Sequence, residues 1–232
     1  MISELLKFDD LPQGGFAGLI ERRFVTDSRV FGGRKQPGAT GGIGNFVYLA
    51  DANFNPNGET GMHPHREIDV ISIMVEGRIS HAGSMEHGQS LETGTVQVQR
   101  AGAEGFTHNE LNPDDTPNQM IQLWVLPDEA GEPAGYKVYN PGTGHRVHIY
   151  GGPKNQDDTF YSRTSIDVAN AAAGQSITHD GEYMAYLCKG SGTLNGESLE
   201  ARTLARGRDV DFVAATDCQL ILIYETANET TT

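Results

Sequence analysis

Two short segments carry residue types and spacings that can build a metal site: His63-Pro64-His65 and His108-Asn109-Glu110. In extended backbone, residues two apart project to one face, so both imidazoles of the first segment can reach the same point. Pro64 holds His63 extended and donates no hydrogen bond, as at a strand start or an edge. The second segment repeats the spacing after Ala101-Gly102-Ala103-Glu104-Gly105, a stretch that must turn tightly. If both segments line one barrel, three imidazoles and one carboxylate converge. Such a set suits Fe(II), Mn(II), Co(II), Ni(II), Cu(II) or Zn(II), since imidazole accepts all of them. Structural zinc sites close with four ligands, usually including cysteine, and no cysteine lies near these positions. An open, reactive site is therefore expected, with room for water, substrate or dioxygen. An isolated H-x-H or H-x-E arises often by chance. The two together in a β-rich chain, each beside a glycine-rich turn, outweigh that reading.

The elements that must position these residues are strands. Helical periodicity is scarce, and short apolar or alternating runs recur between glycine, proline, asparagine and aspartate. Strands are expected at Asn45–Ala50, Ile68–Glu76, Gly94–Arg100, Gln119–Leu126, Val147–Tyr150, Thr159–Val168, Glu182–Lys189 and Gln219–Glu225. Many short strands at this spacing predict a sandwich or barrel. A faint internal repeat relates Ile71–Ile79 to Met184–Gly192: in each, an apolar strand ends in a polar residue and glycine before another strand begins. Two related β units are expected, residues 1–135 and 136–232, joined through the glycine- and proline-rich stretch Pro127–Gly144.

Composition narrows the function classes. With 29 glycines, 10 prolines and 37% hydrophobic residues in 232, the chain suits a turn-rich β protein and is too apolar for disorder. A net charge of −14 argues against nucleic acid and anionic membrane surfaces as partners. Cys188 and Cys218 sit in apolar stretches and read as buried free thiols. The opening MISELLKFDD lacks the apolar run of a signal peptide, and no stretch approaches a membrane span. A cytoplasmic monomer is expected.

The remaining histidines are weaker signals. His81 and His87, in the polar stretch HAGSMEHG, are expected to face solvent or a pocket rim. His145 and His148, three apart, face opposite sides of a strand and do not chelate as a pair. The second half has no histidine pair at spacing two, so it reads as a metal-free barrel. Phe46, Tyr48, Met62 and Phe106 are candidates for an apolar pocket beside the site.

The segment Gly61-Met62-His63-Pro64-His65-Arg66-Glu67-Ile68-Asp69, running on to Val75-Glu76-Gly77, resembles the first cupin motif as found in the pirin family. Gly94 to Gly102, continuing to Phe106-Thr107-His108-Asn109-Glu110, resembles that family's second motif. Ser84-Met85 and Gln122-Leu123-Trp124-Val125 resemble two further stretches of it. The resemblance covers about Phe46 to Pro127. Asp69 departs from the glutamate common there, and the stretch before Phe46 lacks the family's opening pattern. The resemblance implies an all-β bicupin, two cupin-type (jelly-roll) barrels, the N-terminal one holding one divalent metal, Fe(II) foremost. It implies His63, His65, His108 and Glu110 as ligands, Glu110 also acting as catalytic base. The activity implied is that of a quercetin 2,3-dioxygenase, opening a flavonol-like ring with dioxygen. Two alternatives stand beside it: a metal-dependent regulator acting on a protein partner, and a small-ligand-binding bicupin.

Overall fold

The computed structural model describes residues 1–85 and 89–226, so His87 lies outside the described residues. In chain order the strands of the first half are β1 (Ile2–Lys7), β2 (Gly14–Phe16), β3 (Leu19–Thr26), β4 (Phe46–Phe54), β5 (His63–His65) and β6 (Asp69–Glu76). There follow β7 (Arg78–Gly83), β8 (Gln89–Glu92), β9 (Val96–Arg100), β10 (Phe106–Leu111), β11 (Gln119–Val125) and β12 (Gly135–Tyr139). The second half holds β13 (His145–Gly152), β14 (Ser162–Ala171), β15 (Ser176–Lys189), β16 (Ser191–Leu194), β17 (Glu197–Glu200), β18 (Thr203–Ala214) and β19 (Cys218–Glu225). One short helix, α1 (Ser28–Phe31), is capped by the Asp27 side chain, which accepts from the Arg29 amide. Every strand expected from the sequence falls on one of these. Among the described residues, no helix is long and apolar enough to cross a membrane.

The chain forms two compact units. The first comprises Phe8–Gly42 and Val47–Asn140; the second comprises Met1–Lys7, Ile43–Phe46 and the chain from Pro141 onward. The boundary expected at 135/136 therefore moves, for two reasons of strand pairing. β12 pairs with β9, Gly135 opposite Arg100 through Tyr139 opposite Val96, which ties residues 135–139 to the first unit. β1 pairs with β18, Leu6 opposite Leu204, which ties the start of the chain to the second.

Two sheets build the first unit, β12-β9-β6-β11-β4-β3-β2 and β5-β10-β7-β8. β6 lies between β9 and β11 and is buried on both faces from Asp69 to Val75, which explains its nearly unbroken apolar run. Asp69 breaks that run because it meets Arg100 across the β6–β9 pair, at 3.1 Å, with both side chains almost fully buried. Removing one member of such a pair strands the other charge, so its geometry is strongly held. In β10 burial alternates, and Phe106, His108 and Glu110 turn inward.

The second unit is one sheet, ordered β13-β14-β19-β15-β18-β16-β17, with β1 added on β18. Ala169, Ile177, Tyr183, Leu187, Leu199, Phe212 and Leu222, from five of its strands, meet in a single apolar cluster. A sheet can bring them together only by curling around that cluster.

Candidate metal centre

β10 positions the centre. It runs antiparallel to β5, with His108 opposite His63 and Phe106 opposite His65. On its other side it pairs with β7, with His108 opposite Gly83 and Glu110 opposite His81. Residues directly opposite share a face, so His63, His65 and His108 all look into the space between the two sheets. Gly83 makes the close approach possible: a Cβ there would lie 2.4 Å from the Thr107 carbonyl oxygen and 3.1 Å from the His108 Cα. Gly105 (φ +73°) makes the turn into β10 beside the His65 carbonyl.

The three imidazoles converge. His108 Nε2 lies 3.0 Å from His63 Nε2 and 3.1 Å from His65 Nε2. All three ligand atoms fall within 4.8 Å of one another. Ligand atoms about 2.1 Å from a common ion and at right angles to one another stand ~3.0 Å apart, so the spacings of His108 to His63 and to His65 fit imidazoles that would share a divalent transition metal. The other ring nitrogens are oriented as well. His63 Nδ1 is 2.8 Å from the Gly61 carbonyl oxygen, which accepts its proton and leaves Nε2 as the lone pair. His108 Nδ1 is 3.1 Å from His81 Nε2.

Burial sets the charge of these groups. It pushes His65 down to about 4, with His63 adding to the shift. Burial, then His65, His63 and His81, push His108 down to about 2. Both rings are neutral at pH 7, the state in which imidazole binds a metal. Glu110, wholly buried, moves the other way: burial lifts it from 4.5 to about 7 against hydrogen bonds from Ser72 and Gln122 that hold it down. Ser72 donates to Glu110 Oε1 at 3.0 Å.

Of the four residues expected to act together, the structure groups the three histidines. Glu110 shares their face, but its carboxyl accepts from Ser72 on β6, with Gln122 directly opposite Ser72 on β11. His81 corrects an expectation: instead of facing solvent or a rim it is fully buried against His108. Its signal was the period-two step from the apolar Ile79, which places both on the inner face. Sequence reasoning also passed over Ser72 and Gln122, for which no local signal exists, because the partners come together only when the sheets pack.

An aromatic wall adjoins the imidazoles. Trp124 stands edge-on to His65 with centroids 5.8 Å apart, Tyr48 packs on Trp124 at 4.3 Å, and Phe31 stacks over both. Phe106 lies 5.2 Å from His65. Tyr48 and Phe106, expected at a pocket, are therefore beside the site. Met62 is 60% exposed, and Phe46 is a buried residue grouped with the second unit. The buried indole Nε1 of Trp124 has no hydrogen-bond partner and is a donor available to a ligand oxygen. A cleft of about 350 Å³, lined by His65, Phe106, Pro64 and Arg66 among others, opens alongside.

Strands facing one another around inward-pointing histidines, in a chain built of two such β units, define a bicupin with a three-histidine centre. Comparison with known proteins gives the family. The chain belongs to the pirin family. The family's pattern, described as Pirin, matches residues 37–125. A Pseudomonas aeruginosa relative named "Putative quercetin 2,3-dioxygenase PA1210" is 30% identical over 174 residues, 69% of this chain and 75% of that protein. A quercetin 2,3-dioxygenase of Escherichia coli K12 is 33% identical over 72 residues, 31% of each chain. Among solved structures, the bacterial pirin YhhW of Escherichia coli in complex with nickel(II) superimposes with a TM-score of 0.82, at 18% identity, over 98% of this chain and 100% of that one. At that identity the superposition establishes the shared fold.

Proposed function

We propose that this pirin is a metal-dependent dioxygenase acting on a flavonol-like or related phenolic or enolic substrate. One observation carries the reading: three imidazole nitrogens, two pairs of them 3.0 and 3.1 Å apart, face a common point. His63, His65 and His108 hold the metal, Fe(II) foremost among the divalent ions that imidazole accepts. Glu110, two residues along β10 from His108, supplies the carboxylate of the set. A divalent metal held there would supply Lewis acidity toward a substrate hydroxyl. Glu110, with a proton affinity close to neutral pH, accepts that hydroxyl proton. Trp124, Tyr48 and Phe106 bind the flat ring, and the Trp124 indole N–H gives a hydrogen bond to one of its oxygens. The relatives' names support the substrate class, and the buried free thiols Cys188 and Cys218 suit a reducing cytoplasm.

Iron(II)-loaded protein mixed with quercetin is expected to bleach the flavonol absorbance with matching oxygen uptake. A rate equal to that of a blank containing the same metal would sink the substrate assignment.

His81 is a positioning residue in this reading. With His108 Nε2 turned to the metal, the Nδ1 proton goes to His81 Nε2, which fixes the ring. Replacing His81 with phenylalanine keeps the bulk and removes the acceptor. Metal affinity, read by competition with a chelator, is expected to fall by about 10–100-fold. An unchanged affinity would remove His81 from the centre's support.

A further inference from the structure

The second unit carries a polar cluster that the metal centre does not use. Arg146 and His148 on β13 stand opposite Ala169 and Asp167 on β14, so all four share one face. That face continues into the apolar cluster through Ala169 and Ala171. His179 lies two residues from Ile177 and Tyr224 two from Leu222, both members of the same cluster. The inner face of the curled sheet therefore turns from apolar to polar at one end.

The groups there are tightly arranged. Asp167, 6% exposed, accepts from His148 Nδ1 at 2.6 Å on one oxygen and from Arg146 Nε at 2.7 Å on the other. The Tyr224 hydroxyl donates to it at 3.3 Å. With Nδ1 held by Asp167, Nε2 is the ring nitrogen of His148 left to meet a ligand. His179 and Tyr224 pack at 4.1 Å with their rings tilted by 40°, and the hydroxyls of Ser165 and Thr226 bond to each other at 2.8 Å. Two clefts, of about 510 and 440 Å³, share Tyr224 and Thr226. Arg146, His148 and Ser165 line the first; Arg163, His179, Asp180 and Glu225 line the second.

We infer that this end of the second unit is a ligand site for a neutral ring bearing adjacent hydroxyls, with His148 Nε2 hydrogen-bonded to one hydroxyl and Tyr224 packing on the ring. A hydroxyl both gives and receives a hydrogen bond, so sites for diols set acceptors beside donors, and here His148 Nε2 stands beside Arg146. The Tyr224 ring, packed against His179, offers the ligand ring an aromatic face. The carboxylates of Asp180 and Glu225 repel free anions and accept from further hydroxyls. The site stands whether or not the metal reading holds.

Two probes test it on the full chain stripped of metal: catechol for a phenolic ring and methyl glucoside for a sugar. Binding is read from amide NMR shifts, with His63→Ala as a control for any contact at the metal centre. At least one probe is expected to shift amides of β13, β14 and the segment around His179, equally in His63→Ala. Catechol alone binding assigns a phenolic ligand, the glucoside alone a sugar, and both together a diol in either setting. His148→Leu is expected to weaken binding about tenfold. His148→Gln, whose amide can give to Asp167 and accept from the ligand, recovers part of it, which separates ligand contact from damage to the fold. Shifts from neither probe, or equal affinity in His148→Leu, overturn the proposal.

Discussion

With His108 replaced by alanine, the protein is expected to bind its metal about a hundred- to a thousandfold more weakly. The figure is one ligand's share of the ~10–16 kcal/mol that four-ligand sites yield. His108 stands at the middle of the cluster, with His63, His65 and His81 nitrogens all at 3.0–3.1 Å from its own. The same substitution alters the response of metal-free protein to acid. His65 and His108 are held below the ordinary imidazole value, so the unfolded chain binds protons that the folded chain refuses. Stability is present above pH ~6.5 and is lost as pH falls toward the folded values of about 4 and about 2. At pH 5 each ring costs about 2 kcal/mol relative to neutral pH. Denaturant melts of metal-free protein at pH 7.5 and pH 5 are therefore expected to differ less in His108→Ala than in the parent. An undiminished affinity in a competition titration would mean that the three rings do not share an ion.

Glu110→Gln is expected to stabilise the metal-free protein at pH 8 and leave it unchanged near pH 4.5. The sign follows from a carboxyl whose folded value, about 7, lies above its ordinary 4.5. Between those values the folded chain holds a proton that the unfolded chain releases, so stability falls as pH rises through the window. The shift corresponds to on the order of 3 kcal/mol above pH 7, or roughly 5–10 °C in Tm for a chain of this size. Glutamine is never charged and can still accept from Ser72, so it avoids that cost. Turnover of quercetin should nevertheless be lost, because the proton acceptor is gone. A stability gain of equal size at both pH values would show that Glu110 is ionised throughout and that burial does not govern it.

The grouping of His63, His65 and His108 was legible in the sequence because strand geometry converts a spacing of two into a shared face. His63 with His65, and His108 with Glu110, needed only extended backbone to be paired. What sequence could not supply was depth. Glu110 and His108 share a face, yet only sheet packing decides that one meets Ser72 and the other His63. His81 was misread because its polar surroundings suggested solvent, whereas pairing with β10 turned it inward. β9 shows the same limit: Val96-Gln97-Val98-Gln99 alternates cleanly, but Gln97 stands opposite Ser72, so the amides take the side facing the centre. The strands of the second unit were partly legible from their apolar runs. β18, with Arg206, Arg208, Asp209 and Asp211 along it, gave no such run. The cluster of Arg146, His148, Asp167, His179 and Tyr224 comes from four strands spread across some eighty positions, and no local pattern links them.

β1 and its partner β18 are made at very different times. During synthesis at ~5–20 residues per second, β1 leaves the ribosome roughly 10–40 s before the strand it pairs with, since about two hundred residues separate them. Through that interval its backbone amides and carbonyls are an unclaimed edge, open to neighbouring nascent chains. Glu4 and Lys7 put charge on that edge and blunt wrong pairings while the rest of the sheet is still being translated.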